Sequence, residues 1–224
     1  MSLEYEIRLP DAPQDGAAVI VLLHGRGSDR FDLLGLQRGL PPGAIVVTPQ
    51  APNPAAPWGY GPGWAWYRFL GEDRPDPETF VASQEAVGSF IDDIGSLLPV
   101  RPGPIVIGGF SQGGTMALSF ALRNPGKVRA AINYSGFLAN HPSVVTTTES
   151  VRDLSIFWGH GSQDPVIPIS LAERGRARLV AAGADLTVRD YPVGHSISVE
   201  ELADTRAWLE RITGAAAPGR DNES

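Results

Sequence analysis

The segment Ile105-Val-Ile-Gly-Gly-Phe-Ser111-Gln-Gly-Gly-Thr-Met-Ala-Leu holds the chain's most reactive arrangement of residue types. An apolar, strand-like run enters Gly109-Phe-Ser111-Gln-Gly113, and a helical pattern leaves it at once. G-x-S-x-G in that setting makes a turn so tight that the serine backbone is strained, and the hydroxyl stands at a helix N-terminus. Glycines on either side keep Cβ atoms away from the neighbouring strand and helix. The motif alone is common. Its place between strand and helix separates it from a passive Gly-rich turn, and a phosphate-binding turn is disfavoured because no Lys-Ser/Thr pair follows.

A serine hydroxyl needs a base at neutral pH. Four histidines are available: His24, His141, His160 and His195. When a strained serine turn of this kind works with a base and an acid in an α/β sheet, they follow it in the order serine, acid, histidine. That order selects His195, in Tyr-Pro-Val-Gly-His-Ser, after the last strand pattern and before the last helix pattern. Asp153, Asp164, Asp185 and Asp190 lie between. Asp153 and Asp185 precede strand patterns and so fall at the wrong edge of a sheet. Asp190 is too near His195 to come from a separate loop. Asp164, on the loop His-Gly-Ser-Gln-Asp-Pro-Val, is the candidate to orient the imidazole and stabilise its cation, against the plainer role of starting the next helix. For the oxyanion hole, one backbone N–H falls on Gln112, directly after the serine, and the second on Arg26, in the early loop Leu-Leu-His24-Gly25-Arg26-Gly27. His24 would then shape that loop and not serve as a base.

The elements that must hold these groups read as short buried strands alternating with amphipathic helices. Strands are expected at Leu3–Leu9 (a half-exposed edge), Ala18–Leu23, Ala44–Thr48, Pro104–Ile107, Val128–Asn133, Leu154–Trp158 and Asp185–Arg189. Helices are expected at Glu78–Leu98, Gln112–Arg123, Ile169–Ala182 and Ser198–Ile212. Pro49–Gly63, rich in proline and glycine, reads as an irregular loop. Trp58, Tyr60, Trp64, Trp66 and Tyr67 lie in or beside it, either anchoring the loop or walling a substrate pocket, two compatible roles. One domain is expected over 1–214, with a frayed tail at 215–224.

Composition narrows the partners. The chain has 224 residues, a net charge of -7 and Lys127 as its only lysine, so nucleic acid is not expected to bind. No cysteine is present, which removes a thiol nucleophile and Cys-ligated metal and fits a reducing cytoplasm. No metal site is expected, because the histidines are scattered and H-E-x-x-H is absent. An acidic N-terminal stretch without a following apolar run argues against a signal peptide, and the longest apolar run, Ala17 to Leu23, is too short for a bilayer. These readings describe a cytoplasmic protein without stable membrane insertion.

Taken together, Leu23-His-Gly-Arg-Gly, Gly109-Phe-Ser-Gln-Gly-Gly, His160-Gly-Ser-Gln-Asp-Pro-Val and Tyr191-Pro-Val-Gly-His resemble the phospholipase/carboxylesterase family, as does Trp66-Tyr67. This group of small, capless α/β-hydrolases includes bacterial carboxylesterases and acyl-protein thioesterases. The resemblance spans nearly the whole chain in the right order. It implies an α/β-hydrolase fold, with a mostly parallel sheet of about seven strands, helices on both faces and no cap domain. The implied activity is cofactor-free hydrolysis of small-molecule carboxylic esters through an acyl-serine. The implied site is the triad Ser111, Asp164 and His195, with Arg26 and Gln112 as N–H donors and Trp66 and Tyr67 near the substrate. Acyl-protein thioesterase, lysophospholipase, lactone or dienelactone hydrolysis would use the same triad. A ligand-binding protein of this fold usually lacks a triad member, and none is missing here. Oligomeric state, a homodimer included, stays open. One departure stands out: acyl-protein thioesterases often carry leucine after His-Gly, where this chain has Arg26, which suggests substrates with an anionic or strongly polar end.

Overall fold

The computed structural model describes residues 3–214; the tail expected at 215–224 lies outside the described residues. In chain order the strands are β1 (Tyr5–Arg8), β2 (Val19–Leu23), β3 (Ile45–Pro49), β4 (Asn53–Pro54), β5 (Trp64–Ala65), β6 (Ile105–Phe110), β7 (Ala130–Tyr134), β8 (Ser155–Gly161) and β9 (Asp185–Tyr191). The helices are α1 (Pro77–Leu97), α2 (Gln112–Arg123), α3 (Ile169–Ala181) and α4 (Val199–Thr213). Seven strands form one sheet in the order β1-β3-β2-β6-β7-β8-β9. Only β1 is antiparallel to its neighbour, with Tyr5 opposite Pro49 and Arg8 opposite Val46.

Alternation along the strands sorts the core into two halves. Val19, Val21 and Leu23 of β2 join Ile107, Ile156 and Trp158 beneath α1, α2 and α3. Ile20 and Leu22 face the other way, with Ile132, Tyr134 and Phe157, against Trp208 and Leu209 of α4 and the 3₁₀ segment Leu34–Gly39. Because both faces are covered, the central strands read as continuous Val/Ile runs. Each large apolar side chain taken fully out of water contributes about 1.5–3 kcal/mol.

Local signals set the helix ends. Asp76 accepts the Thr79 N–H at 3.0 Å, with Pro77 in the first turn of α1. Ser198 and Glu201 form a reciprocal capping box at the start of α4, and Gly214 closes it in the left-handed conformation.

The expected elements are present to within a few residues, with one correction. Pro49–Gly63 is more ordered than an irregular loop: Ala56–Trp58 makes a 3₁₀ turn, and β4 pairs antiparallel with β5, Asn53 opposite Ala65. Local pairing there supplies backbone partners that the Pro/Gly content had suggested would be missing.

The chain leaves β2 for the β3 side of the sheet and later leaves β6 for the β7 side. The connection therefore reverses between β2 and β6, where the carboxyl ends of parallel strands open a crevice.

Candidate active site

Ser111 sits between β6 and α2 at φ 56°, ψ −115°, a sparsely populated conformation for a residue with a side chain. The turn closes only because its flanks are glycine. A Cβ on Gly113 would lie 1.9 Å from the Leu23 carbonyl oxygen, and one on Gly109 would lie 2.5 Å from the same atom.

His195 lies on the segment between β9 and α4. Its Nε2 is 2.9 Å from Ser111 Oγ, and its Nδ1 is 2.6 Å from Asp164 Oδ2. The Asp164 carboxylate cannot donate, so Nδ1 carries the proton and Nε2 is the acceptor that faces the serine. Phe110 supports the imidazole with its ring 4.7 Å away. Backbone pairing brings the two loops together: beyond the ladder of β8 and β9, Ser162 N–H donates to the Tyr191 carbonyl at 2.7 Å and Gln163 N–H to that of Val193 at 3.1 Å. The β8–β9 pairing thus runs on by two more bonds and delivers Asp164 beside His195.

The second Asp164 oxygen accepts from the N–H groups of Val166 at 2.8 Å and Ile167 at 2.9 Å. Burial by itself would raise this carboxyl, but the bond from His195, those two N–H groups and the imidazole charge outweigh it and hold the group below the usual carboxylate range. His160 braces the same turn from beneath, since its Nε2 donates to the Ile167 carbonyl at 2.9 Å. Desolvation lowers the pKa of His160, so it stays neutral and keeps this role.

On the other side of the serine, the loop after β2 is held mainly by side chains. His24 accepts the Ala51 N–H on Nε2 at 3.0 Å and donates from Nδ1 to the Gly25 carbonyl at 2.7 Å. Trp66 Nε1 donates to the His24 carbonyl at 2.9 Å. Gly27 N–H donates to Trp64 and Trp64 N–H to Ser28, each at 2.8 Å. The Gln112 amide closes the frame, accepting the Trp66 N–H and donating to the Tyr67 carbonyl, both at 2.8 Å. Among the described residues, the backbone N–H groups of Arg26 and Gln112 have no protein acceptor, and both residues line the cavity that opens over Ser111. Two N–H groups left over beside a serine that carries its own base are what acyl transfer requires.

That cavity measures about 70 Å³; Tyr67, Phe69, Phe137, Ile167 and Leu171 form much of its wall, with Glu72 at the rim. Tyr67 therefore stands where a substrate contact was expected. Trp66 does not: its indole is fully buried outside the lining and serves as a strut under the His24 loop. The chain bends here, just past the end of β5, and the two adjacent rings enter different surroundings: Trp66 goes against His24 and Tyr67 into the cavity wall. His141 is also remote, paired with Ser143 and stacked against Phe80. Phe69, Glu72, Phe137, Ile167 and Leu171 were not anticipated. They come from separate loops and from α3, and only the nearness of Phe69 and Glu72 to the aromatic loop hinted at two of them.

A mostly parallel sheet with a strained serine at the switch point and no inserted cap defines this chain as an α/β-hydrolase. Comparison with known proteins narrows the class. The phospholipase/carboxylesterase family model matches residues 6–213. Acyl-protein thioesterase 1 of Cryptococcus neoformans is 27% identical over 218 residues, covering 86% of this chain and 91% of that protein. A probable carboxylesterase of Oryza sativa is 30% identical over 171 residues, covering 72% of this chain and 64% of its own. The crystal structure of esterase PE8 superposes with a TM-score of 0.80 at 26% identity, covering 95% of this chain and 100% of that one. The chain belongs to the phospholipase/carboxylesterase family and is a serine ester hydrolase.

Proposed function

We propose that the enzyme cleaves carboxylic esters of short acyl groups, with Ser111 as nucleophile, His195 as general base and then acid, and Asp164 as the group that orients and charge-balances the imidazole. The Ser111–His195–Asp164 hydrogen-bonded chain is the observation that carries this reading. Ser111 Oγ attacks the ester carbonyl and its proton passes to His195 Nε2. The oxyanion accepts from the N–H groups of Arg26 and Gln112. Collapse expels the alcohol, which takes the proton back from Nε2 and leaves an acyl-serine; water repeats the sequence and frees the acid.

Cavity size supports short acyl groups. At about 70 Å³ it is far below the roughly 300 Å³ at which pockets for drug-sized ligands begin. Thioesters react through the same steps, and a relative named acyl-protein thioesterase keeps that substrate class in the test. The reading includes a cytoplasmic enzyme acting on a small-molecule ester. It is supported by the acidic, cysteine-free chain and by the lack, among the described residues, of any helix long and apolar enough to cross a membrane.

The test has two arms. A serine-directed fluorophosphonate is expected to label the parent and not Ser111→Ala; an unlabelled parent overturns the mechanism. Across p-nitrophenyl esters of rising acyl length, with a thioester alongside, kcat/KM is expected to peak at a few carbons. A maximum at long chains transfers the enzyme to the long-acyl class.

A further inference from the structure

We propose that the Arg26 side chain forms an anion-binding subsite at the mouth of the cavity, so that the preferred esters carry a carboxylate a few carbons from the reacting carbonyl, as in half-esters of short dicarboxylic acids. This rests on the ester-hydrolase reading above and names its substrate class.

The guanidinium lies 4.5 Å from the ring centre of Tyr60 and 5.9 Å from that of Phe69, itself part of the cavity wall. Its platform is fixed. The Tyr60 hydroxyl accepts the Phe69 N–H at 2.9 Å and donates to the Phe69 carbonyl at 3.4 Å, so the ring is tied to the segment it faces. Stacking occupies the flat face of a guanidinium and leaves its in-plane N–H donors pointing outward, in the fork that matches a carboxylate. Elsewhere such forks are used within the protein: Arg30 holds Glu4 and Glu6, Arg176 holds Asp190 and Arg206 holds Glu210. Among the described residues, the Arg26 side chain has no hydrogen bond or ion pair, although Glu72 lines the same cavity. It is an exposed cation stacked on an aromatic platform, with donors that no group among the described residues uses.

Its place relative to the chemistry sets the length of the ligand. The backbone N–H of Arg26 is an oxyanion donor, so the guanidinium lies one side-chain length from the reacting carbonyl. A carboxylate at the far end of a short acyl chain spans that distance, and the apolar wall of Phe137, Ile167 and Leu171 takes the methylenes between. Glu72 works in the opposite sense: its carboxylate at the rim repels an incoming anion and restrains the preference.

The test compares kcat/KM for mono-p-nitrophenyl glutarate with that for p-nitrophenyl butyrate within each variant, so that any general change at the oxyanion loop cancels from the ratio. Arg26→Met is expected to lower the anionic-to-neutral ratio by about tenfold or more, as loss of a charge-assisted bond would. Glu72→Gln, on an exposed residue, is expected to raise it a few-fold, and added salt to lower it in the parent but not in Arg26→Met. A ratio unmoved by Arg26→Met overturns the subsite while leaving the ester-hydrolase reading intact. A parent that turns over neither ester overturns that reading itself.

Discussion

The two sides of Ser111 are built on different principles. The His195 side is an extension of the sheet: two backbone bonds beyond β8 and β9 bring Asp164 to His195, and two backbone N–H groups engage the other carboxylate oxygen. On the Arg26 side, side-chain atoms of His24, Trp66 and Gln112 grip the main chain of a distant segment. Backbone pairing needs few particular residues besides the reacting ones. The side-chain frame needs each of its members, so the two sides should differ sharply in tolerance to substitution.

Asp164→Asn should have the largest effect on rate. It favours the wrong imidazole tautomer with little change of shape, and kcat is expected to fall by about 10³–10⁴-fold while the fold survives, as read by esterase kinetics and circular dichroism. Gln112→Ala should come next. It strands the Trp66 N–H and Tyr67 carbonyl in a buried setting, and chemical denaturation is expected to show about 2–4 kcal/mol lost, with a fall in kcat as the loop shifts. On the His195 side Ser162→Ala removes only a side-chain bond to the Tyr191 carbonyl, which keeps its backbone partner; about 0.5–1 kcal/mol is expected. Equal losses in Gln112→Ala and Ser162→Ala would erase the contrast.

A fourth prediction probes the capping box of α4 just behind His195. Burial pushes the Glu201 carboxyl up to about 8. The folded state therefore holds a proton that the unfolded chain has already released, and stability declines as pH rises from about 5 toward 8. Asp164, held low, has the opposite sign: its contribution is present above the ordinary carboxylate pKa and is lost as pH falls through its own. Glu201→Gln keeps the acceptor for the Ser198 N–H and is expected to flatten the decline, seen as a smaller loss of Tm between mildly acidic and alkaline buffer.

Legibility in the sequence divides along the same line. Ser111, His195 and Asp164 could be read because strand and helix periodicity, turn residues and chain order locate the carboxyl ends of strands without coordinates. The expectation of backbone donors at Gln112 and Arg26 followed from their places beside those ends. That His24 shapes its loop was legible, but its bond to Ala51, the frame made by the Gln112 amide and the cavity wall of Phe137 and Leu171 were not, since each depends on segments tens of residues apart converging in space. Trp66 shows the finer limit: composition marked the aromatic segment, yet which of two adjacent rings faces the cavity is a matter of backbone orientation. The pairing of β4 with β5 escaped for a different reason: its two-residue strands are too short for any periodic signal.

The main chain of Trp66–Tyr67 is clamped from three other segments: Gln112 accepts the Trp66 N–H and donates to the Tyr67 carbonyl, while Ser83 and Asn53 both donate to the Trp66 carbonyl. The Tyr67 ring is fixed as well, fully buried and edge-on to Phe80, so this stretch of wall is held by its side chain as much as by its peptide groups. Cutting the ring at position 67 down would widen the cavity at the expense of core packing, while the peptide clamp to Gln112 stays in place. Any widening of the substrate range at this position therefore draws on the stability of the fold.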